Sequence, residues 1–243
     1  TRSKTAALKF TDEGYYTTLS KTLEIEEILQ HHIDIMDKYD PENRVALLLD
    51  EWGTWFDVEP GTNPGHLYQQ NTMRDAMTAA TILNIFNRHC DRIYMANIAQ
   101  TVNVLQSIIL TEGEKMVLSP TYYVFDLFQK HMDAKEVDCF VDTDTVGNSE
   151  ITVPSLTASA SEKDGKLTVT VANVDPDAPR TVTFEVTGRK IVSAEGRILT
   201  GSMSQYNDFD NAPLHVEPLT GISVGEQITV TLPACSVAEI TLS

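Results

Sequence analysis

The chain has 243 residues, 42% hydrophobic and 22% charged, a balance that fits one large or two small globular domains and excludes disorder as the main state. Thirty-five acidic residues against 18 basic ones leave a net charge of −17, a field that repels phosphate backbones and argues against a nucleic-acid partner. No apolar run approaches the roughly 18 residues needed to cross a bilayer, which argues against a membrane partner as well.

Residues 15–38 predict a helix, with Leu19, Leu23, Ile25, Ile28, Leu29, Ile33 and Met36 on a broad apolar stripe and Glu24, Glu26 and Glu27 opposite. The pair His31-His32 falls on this helix and reads as structural. Asp40-Pro41-Glu42-Asn43 breaks the chain. Val45–Leu49 is a short apolar run without a polar face, the pattern of a strand buried on both sides. It ends in Asp50-Glu51-Trp52-Gly53, followed by a loop containing Pro60, Gly61, Pro64 and Gly65. Met73, Ala76, Met77, Ala80, Leu83 and Phe86 predict a second helix over 67–87. Ile93–Ala99 reads as a second buried strand, and 101–111 as helix or coil against the core. Ser119 as N-cap and Pro120 at the first helical position predict a helix to about His131.

The grammar changes near residue 141. Six of ten prolines and seven of twelve glycines lie beyond it, and period-2 alternation replaces helical spacing. Leu167, Val169 and Val171 alternate with Thr168 and Thr170, and similar runs follow at 182–186, 228–232 and 238–242. Asp164-Gly165 signals a hairpin turn. The expected fold is therefore α/β in residues 1–141 and an antiparallel, jelly-roll-like β-sandwich in 142–243. Helix, strand, helix, strand, helix is the repeat of a parallel α/β fold. Two strands cannot close a barrel that needs eight, so residues 1–141 read as the last two βα units of a (β/α)8 barrel.

Both tryptophans fall within Trp52–Trp55, beside carboxylates that leave a strand at its C-terminal end. That end is the active-site face of βα barrels. Aromatic faces pack on sugar C–H groups, and a partly desolvated carboxylate can attack an anomeric carbon. The bland alternative is a solvated acidic turn whose tryptophans cap the core.

Leu47-Leu48-Leu49-Asp50-Glu51-Trp52-Gly53-Thr54-Trp55 resembles the nucleophile segment of the family 51 α-L-arabinofuranosidases. Met95 to Leu105 resembles their eighth barrel strand and its exit, and Leu110 to Phe125 their final barrel helix region. The likeness covers about residues 10–135, and beyond that it rests on domain order alone. It implies Glu51 as catalytic nucleophile, Trp55 as an aromatic near the bound sugar and Gln100 as a hydrogen-bonding partner of the arabinosyl unit. It leaves Asp50 and Asn97 as supports and gives the loop from Phe56 to Gly65 a place on the aglycone side. It implies no metal and no cofactor. The family's acid/base glutamate follows an asparagine, and this chain has no Asn-Glu dipeptide. Glu59 and Glu112 match no family position and read as solvated acids, and His66 reads as a surface loop histidine.

The leading expectation is the C-terminal part of a retaining exo-acting enzyme on arabinan or arabinoxylan. It supplies the nucleophile, is inactive alone, and is partnered by the missing N-terminal barrel portion and by further copies of itself. A non-catalytic sandwich module that binds glycan or stabilises an oligomer is the alternative, and a barrel enzyme on another glycoside is a third. Cys90, Cys139 and Cys235 lie far apart with no Cys-x-x-Cys pair, against a disulfide scaffold or zinc site. Free thiols lean towards a reducing cytoplasm. The first residue, Thr1, suggests a cut site, which leaves the compartment open.

Overall fold

The computed structural model describes residues 2–243, with side chains from residue 5 onward. The first half comprises β1 (Arg2–Ala6), α1 (Asp12–Tyr39), β2 (Leu47–Trp52), β3 (Trp55–Asp57), α2 (Met73–Arg88), β4 (Ile93–Ile98), the hairpin of β5 (Ile109–Glu112) and β6 (Lys115–Leu118), and α3 (Pro120–Phe128). After β7 (Lys135–Val137) comes a small hairpin of β8 (Thr145–Gly147) and β9 (Thr152–Pro154). The rest is β10 (Leu156–Lys163), β11 (Lys166–Asn173), β12 (Arg180–Phe184), β13 (Ala194–Thr200), β14 (Glu217–Pro218), β15 (Ser223–Val224), β16 (Ile228–Leu232) and β17 (Ser236–Leu242).

Most strands build an antiparallel sandwich. A six-stranded sheet in the order β14-β13-β17-β11-β10-β7 faces a three-stranded one, β12-β16-β15. Leu167, Val169, Val171, Ile198, Ile240 and Leu242 meet Ile228, Val230 and Leu232 between them. Asp164 and Gly165 form the two-residue turn between β10 and β11, with φ of 53° and 78°, the left-handed pair such hairpins require. The other face of the large sheet is not open to water. Helices α2 and α3 lie on it, so Thr168, Thr170 and Glu239 are buried. β7, ahead of the change of pattern at 141, is the edge strand of this same sheet.

α2 is the centre of the molecule. Thr72 caps it and Asp75 closes a capping box, so the helix starts at Met73 and not at 67. It packs on α1, α3 and the large sheet. β2 and β4 pair in parallel, as their sequence pattern predicts, with α2 connecting them. Arg92 sets that pairing. Its guanidinium donates to Asp37 and Asp40 at the end of α1 and to the Val45 carbonyl, while the Leu47 N–H donates to the Arg92 carbonyl at 2.7 Å. The Val45 N–H, and then Arg92, hold the Asp40 carboxyl below the usual carboxylate range.

Three expectations need correction. β2 and β4 are not buried on both faces: Leu48 is 50%, Met95 51% and Tyr94 73% exposed, because helices cover only one side of the pair. Residues 101–108 are coil against the core, one of the two expected forms, but 109–111 belong to β5, whose Ile109 pairs with Leu118 of β6. Ser119 is the N-cap residue of α3 and Pro120 opens the helix, as expected, but the Ser119 hydroxyl does not cap it and instead donates to the Ser107 carbonyl at 2.8 Å.

Candidate active site

The two tryptophans part company. Trp52 ends β2 inside the core, 7% exposed, stacked on Phe125 at 5.9 Å and edge-on to Phe86 at 5.7 Å. The register with β4 is irregular between Leu49 and Trp52, which both pack on the core, and this irregularity leaves Asp50 and Glu51 exposed between them. Trp55, 40% exposed, opens β3 beyond a sharp turn. Gly53 makes that turn at φ +134°, and a Cβ there would sit 3.1 Å from the Gln106 Oε1 atom, so both conformation and space call for glycine.

β4 brings the third predicted residue to the same end. Trp52 is in register with Ile98, and the Ala99 N–H donates to the Trp52 carbonyl at 2.8 Å. Gln100 follows directly and is exposed. Glu51 and Gln100 thus leave neighbouring parallel strands at their C-terminal ends, with Trp55 just beyond the first. Asp50 and Asn97 are exposed on the same two strands. Glu59 lies apart, accepting from the Gln70 N–H at 3.2 Å, and His66 and Glu112 are exposed.

Beneath these exits lies a buried polar network that sequence reasoning missed. Thr54 donates through its hydroxyl to Asp75 at 2.6 Å and through its N–H to Gln106 at 2.8 Å. Gln69 donates to the Thr54 hydroxyl at 2.9 Å and accepts from the Phe56 N–H at 2.8 Å. Gln106 donates to the Asp75 carbonyl at 2.8 Å and to Thr121 at 3.2 Å. Burial raises the Asp75 carboxyl above its ordinary range, against the pull of Arg74 and of its hydroxyl and amide donors. Of this network only the capping box, Thr72-x-x-Asp75, carries a sequence signal.

Three clefts elsewhere are lined by none of Glu51, Trp55 or Gln100. The largest, about 770 Å³, opens between the sandwich sheets beside Phe140. Among the described residues, no three His, Cys, Asp or Glu side chains lie together where they could hold a metal ion. No described helix is long and apolar enough to cross a membrane. An exposed carboxylate beside an exposed indole and a carboxamide can do nucleophilic chemistry on a sugar, provided a proton donor faces it.

The comparisons with known proteins show the family. Residues 50–236 match the family model described as alpha-L-arabinofuranosidase C-terminal domain. The intracellular exo-alpha-L-arabinofuranosidase of Bacteroides ovatus is 45% identical over 99% of this chain, which covers 48% of that protein. The crystal structure of the GH51 arabinofuranosidase from Xanthomonas axonopodis pv. citri superposes with a TM-score of 0.96 at 40% identity, over 99% of this chain and 50% of that one. The Thermotoga maritima enzyme, solved as an arabinose complex, gives 0.77 at 25% identity over 93% and 49%. The chain belongs to the α-L-arabinofuranosidases of glycoside hydrolase family 51. Within that family it corresponds to the C-terminal part, and it spans about half the length of these relatives.

Proposed function

We propose that the chain is the C-terminal half of a retaining, exo-acting α-L-arabinofuranosidase and carries its nucleophile. In this reading β2 and β4 are the seventh and eighth strands of a (β/α)8 barrel. Residues 1–141 are the barrel portion and 142–243 the sandwich domain, with β7 crossing over to pair with the sandwich. The observation that carries the reading is the shared C-terminal end of the parallel pair, where Glu51, Trp55 and Gln100 all reach solvent beside an uncovered apolar face.

The Glu51 carboxylate attacks the anomeric carbon as the bond to the aglycone oxygen breaks. That oxygen takes its proton from a second carboxylic acid about 5 Å across the sugar. The acid comes from the other half of the protein. Deprotonated by this step, it takes a proton from water, which cleaves the glycosyl ester, so configuration is retained. Trp55 packs on the sugar face and Gln100 hydrogen-bonds its hydroxyls. The substrates are arabinofuranosyl side chains of arabinan or arabinoxylan, and the compartment is intracellular, as the Bacteroides relative is named.

The test is hydrolysis of an aryl arabinofuranoside by the 243-residue chain, alone and combined with an N-terminal half that supplies the missing strands. Alone, the chain is expected to be inactive, since lacking the general acid costs about 10²–10⁴-fold and lacking the orienting contacts costs more. Combined, it turns over. In the complete enzyme Glu51→Ala removes turnover by several orders of magnitude while Tm barely moves, because an exposed acid contributes little stability. Turnover by the pure chain, or near-normal turnover by the Glu51→Ala enzyme, contradicts the proposal. Glycan binding without turnover in any combination favours a non-catalytic module.

A further inference from the structure

Trp55 is exposed, yet the backbone on both sides of it is held from below. The preceding N–H, that of Thr54, donates to the Gln106 Oε1 atom at 2.8 Å. The following N–H, that of Phe56, donates to the Gln69 Oε1 atom at 2.8 Å. Both glutamines are buried, Gln69 1% and Gln106 0% exposed. A buried carboxamide must satisfy its NH₂ group too, and each does so within the same network. Gln69 donates to the Thr54 hydroxyl, itself bonded to Asp75. Gln106 donates to the Asp75 carbonyl on α2 and to Thr121 on α3. The Gln106 backbone N–H donates to the Ala99 carbonyl, one residue ahead of Gln100.

We infer that Gln69 and Gln106 are positioning residues that clamp the two amides flanking Trp55 and so fix the indole against the bound sugar, Gln106 also tying that loop to the strand exit that carries Gln100. This rests on reading Trp55 as the sugar-packing aromatic. The fold alone does not demand two carboxamides here. A β2–β3 turn needs glycine at position 53, and the buried Thr54 and Phe56 amides, in residues 1% and 3% exposed, need acceptors inside the protein, but a backbone carbonyl or a hydroxyl would serve as well as a carboxamide. A small displacement of an orienting group costs a large factor in rate, which accounts for a clamp at this point.

The experiment compares Gln69→Leu, Gln106→Met, Trp55→Ala and the two double variants in the complete enzyme, measuring kcat and KM on an aryl arabinofuranoside well below each Tm. Gln69→Asn and Gln106→Asn, shorter but still amides, stand in for any variant that does not fold. Each glutamine variant is expected to lower kcat/KM about tenfold or more, mainly through KM, as Trp55→Ala does. In the Trp55→Ala background the further loss shrinks to about twofold or less. Equal losses with and without the indole would show that the glutamines serve the fold only, and unchanged kcat/KM in the single variants would also overturn the inference. An unchanged Trp55→Ala enzyme removes the sugar-packing role itself, and the inference with it, while leaving the assignment of Glu51 untouched.

Discussion

Arg74 illustrates how a single side chain secures the site from a distance. Its guanidinium lies 3.7 Å from the ring centroids of both Phe10 and Phe56 and donates to the carbonyls of Ala6 and Ala7. Burial lowers its pKa to about 10, so it remains charged at neutral pH. Through Phe56 it braces β3, and through the two carbonyls it ties down the end of β1, which pairs with β3. Arg74→Met keeps much of the stem's packing but strands two carbonyl acceptors. A loss of about 2 kcal/mol is expected in urea unfolding, with faster amide exchange over residues 2–6. Arg74→Lys should not restore it, because an ammonium cannot lie flat between two rings. At this scale the sequence was partly readable. Glu51, Trp55 and Gln100 stood out through a motif and a strand end. Gln69, Gln106 and Arg74 did not, because a buried glutamine or arginine is written with the same letters as an exposed one, and only its neighbours in space reveal it.

Among the elements, the turn of 3₁₀ helix after α3 has a pH-dependent seat on the large sheet. His131 bonds Ser161 at 2.7 Å and Thr170 at 2.9 Å. Burial lowers its pKa from 6.5 to about 4, with nearby Glu239 opposing the shift. Between those values the unfolded chain holds a proton that the folded chain does not. Its seat is therefore undisturbed above about pH 6.5, and stability is lost progressively as pH falls from there through 4. Urea unfolding across that range should show the decline, and His131→Gln should flatten it. A variant with an unchanged slope would assign the decline to other groups. Sequence pattern exposed α1, α2, β2, β4 and β11 through their apolar residues, and Asp164-Gly165 marked the hairpin turn before β11, whereas β10, with residues LTASASEK, carries no such pattern. The pattern missed β1, whose residues RSKTA carry no such signal and whose partner β3 lies some fifty residues away. It also missed β5, because a short apolar run at 108–110 fits either a helix or a strand.

For the molecule as a whole, the decisive feature is asymmetry. One side of the β2–β4 pair rests on helices and the other presents Leu48, Tyr94 and Met95 to solvent, beside a sandwich whose large sheet is covered on both faces. An uncovered apolar face on a parallel pair favours association. Light scattering on the pure chain should show dimers or larger species, and combination with the proposed N-terminal barrel half should change that state by covering the face; a monodisperse monomer would count against it. The period-2 pattern announced the sandwich but not the helices on its second face, since Thr168 and Thr170 look like solvent-facing residues until both are seen buried and Thr170 is seen bonded to Asn84 and His131. The proposed role of Glu51, nucleophile of a retaining arabinofuranosidase, is open to a chemical test. The most direct measurement is peptide mapping of the complete enzyme, acid-quenched during turnover of an aryl arabinofuranoside whose leaving group departs fast enough for the glycosyl-enzyme to accumulate. One pentosyl unit esterified to Glu51 is expected; a pentosyl unit on another carboxylate, or a product of inverted configuration with no adduct, would contradict the assignment.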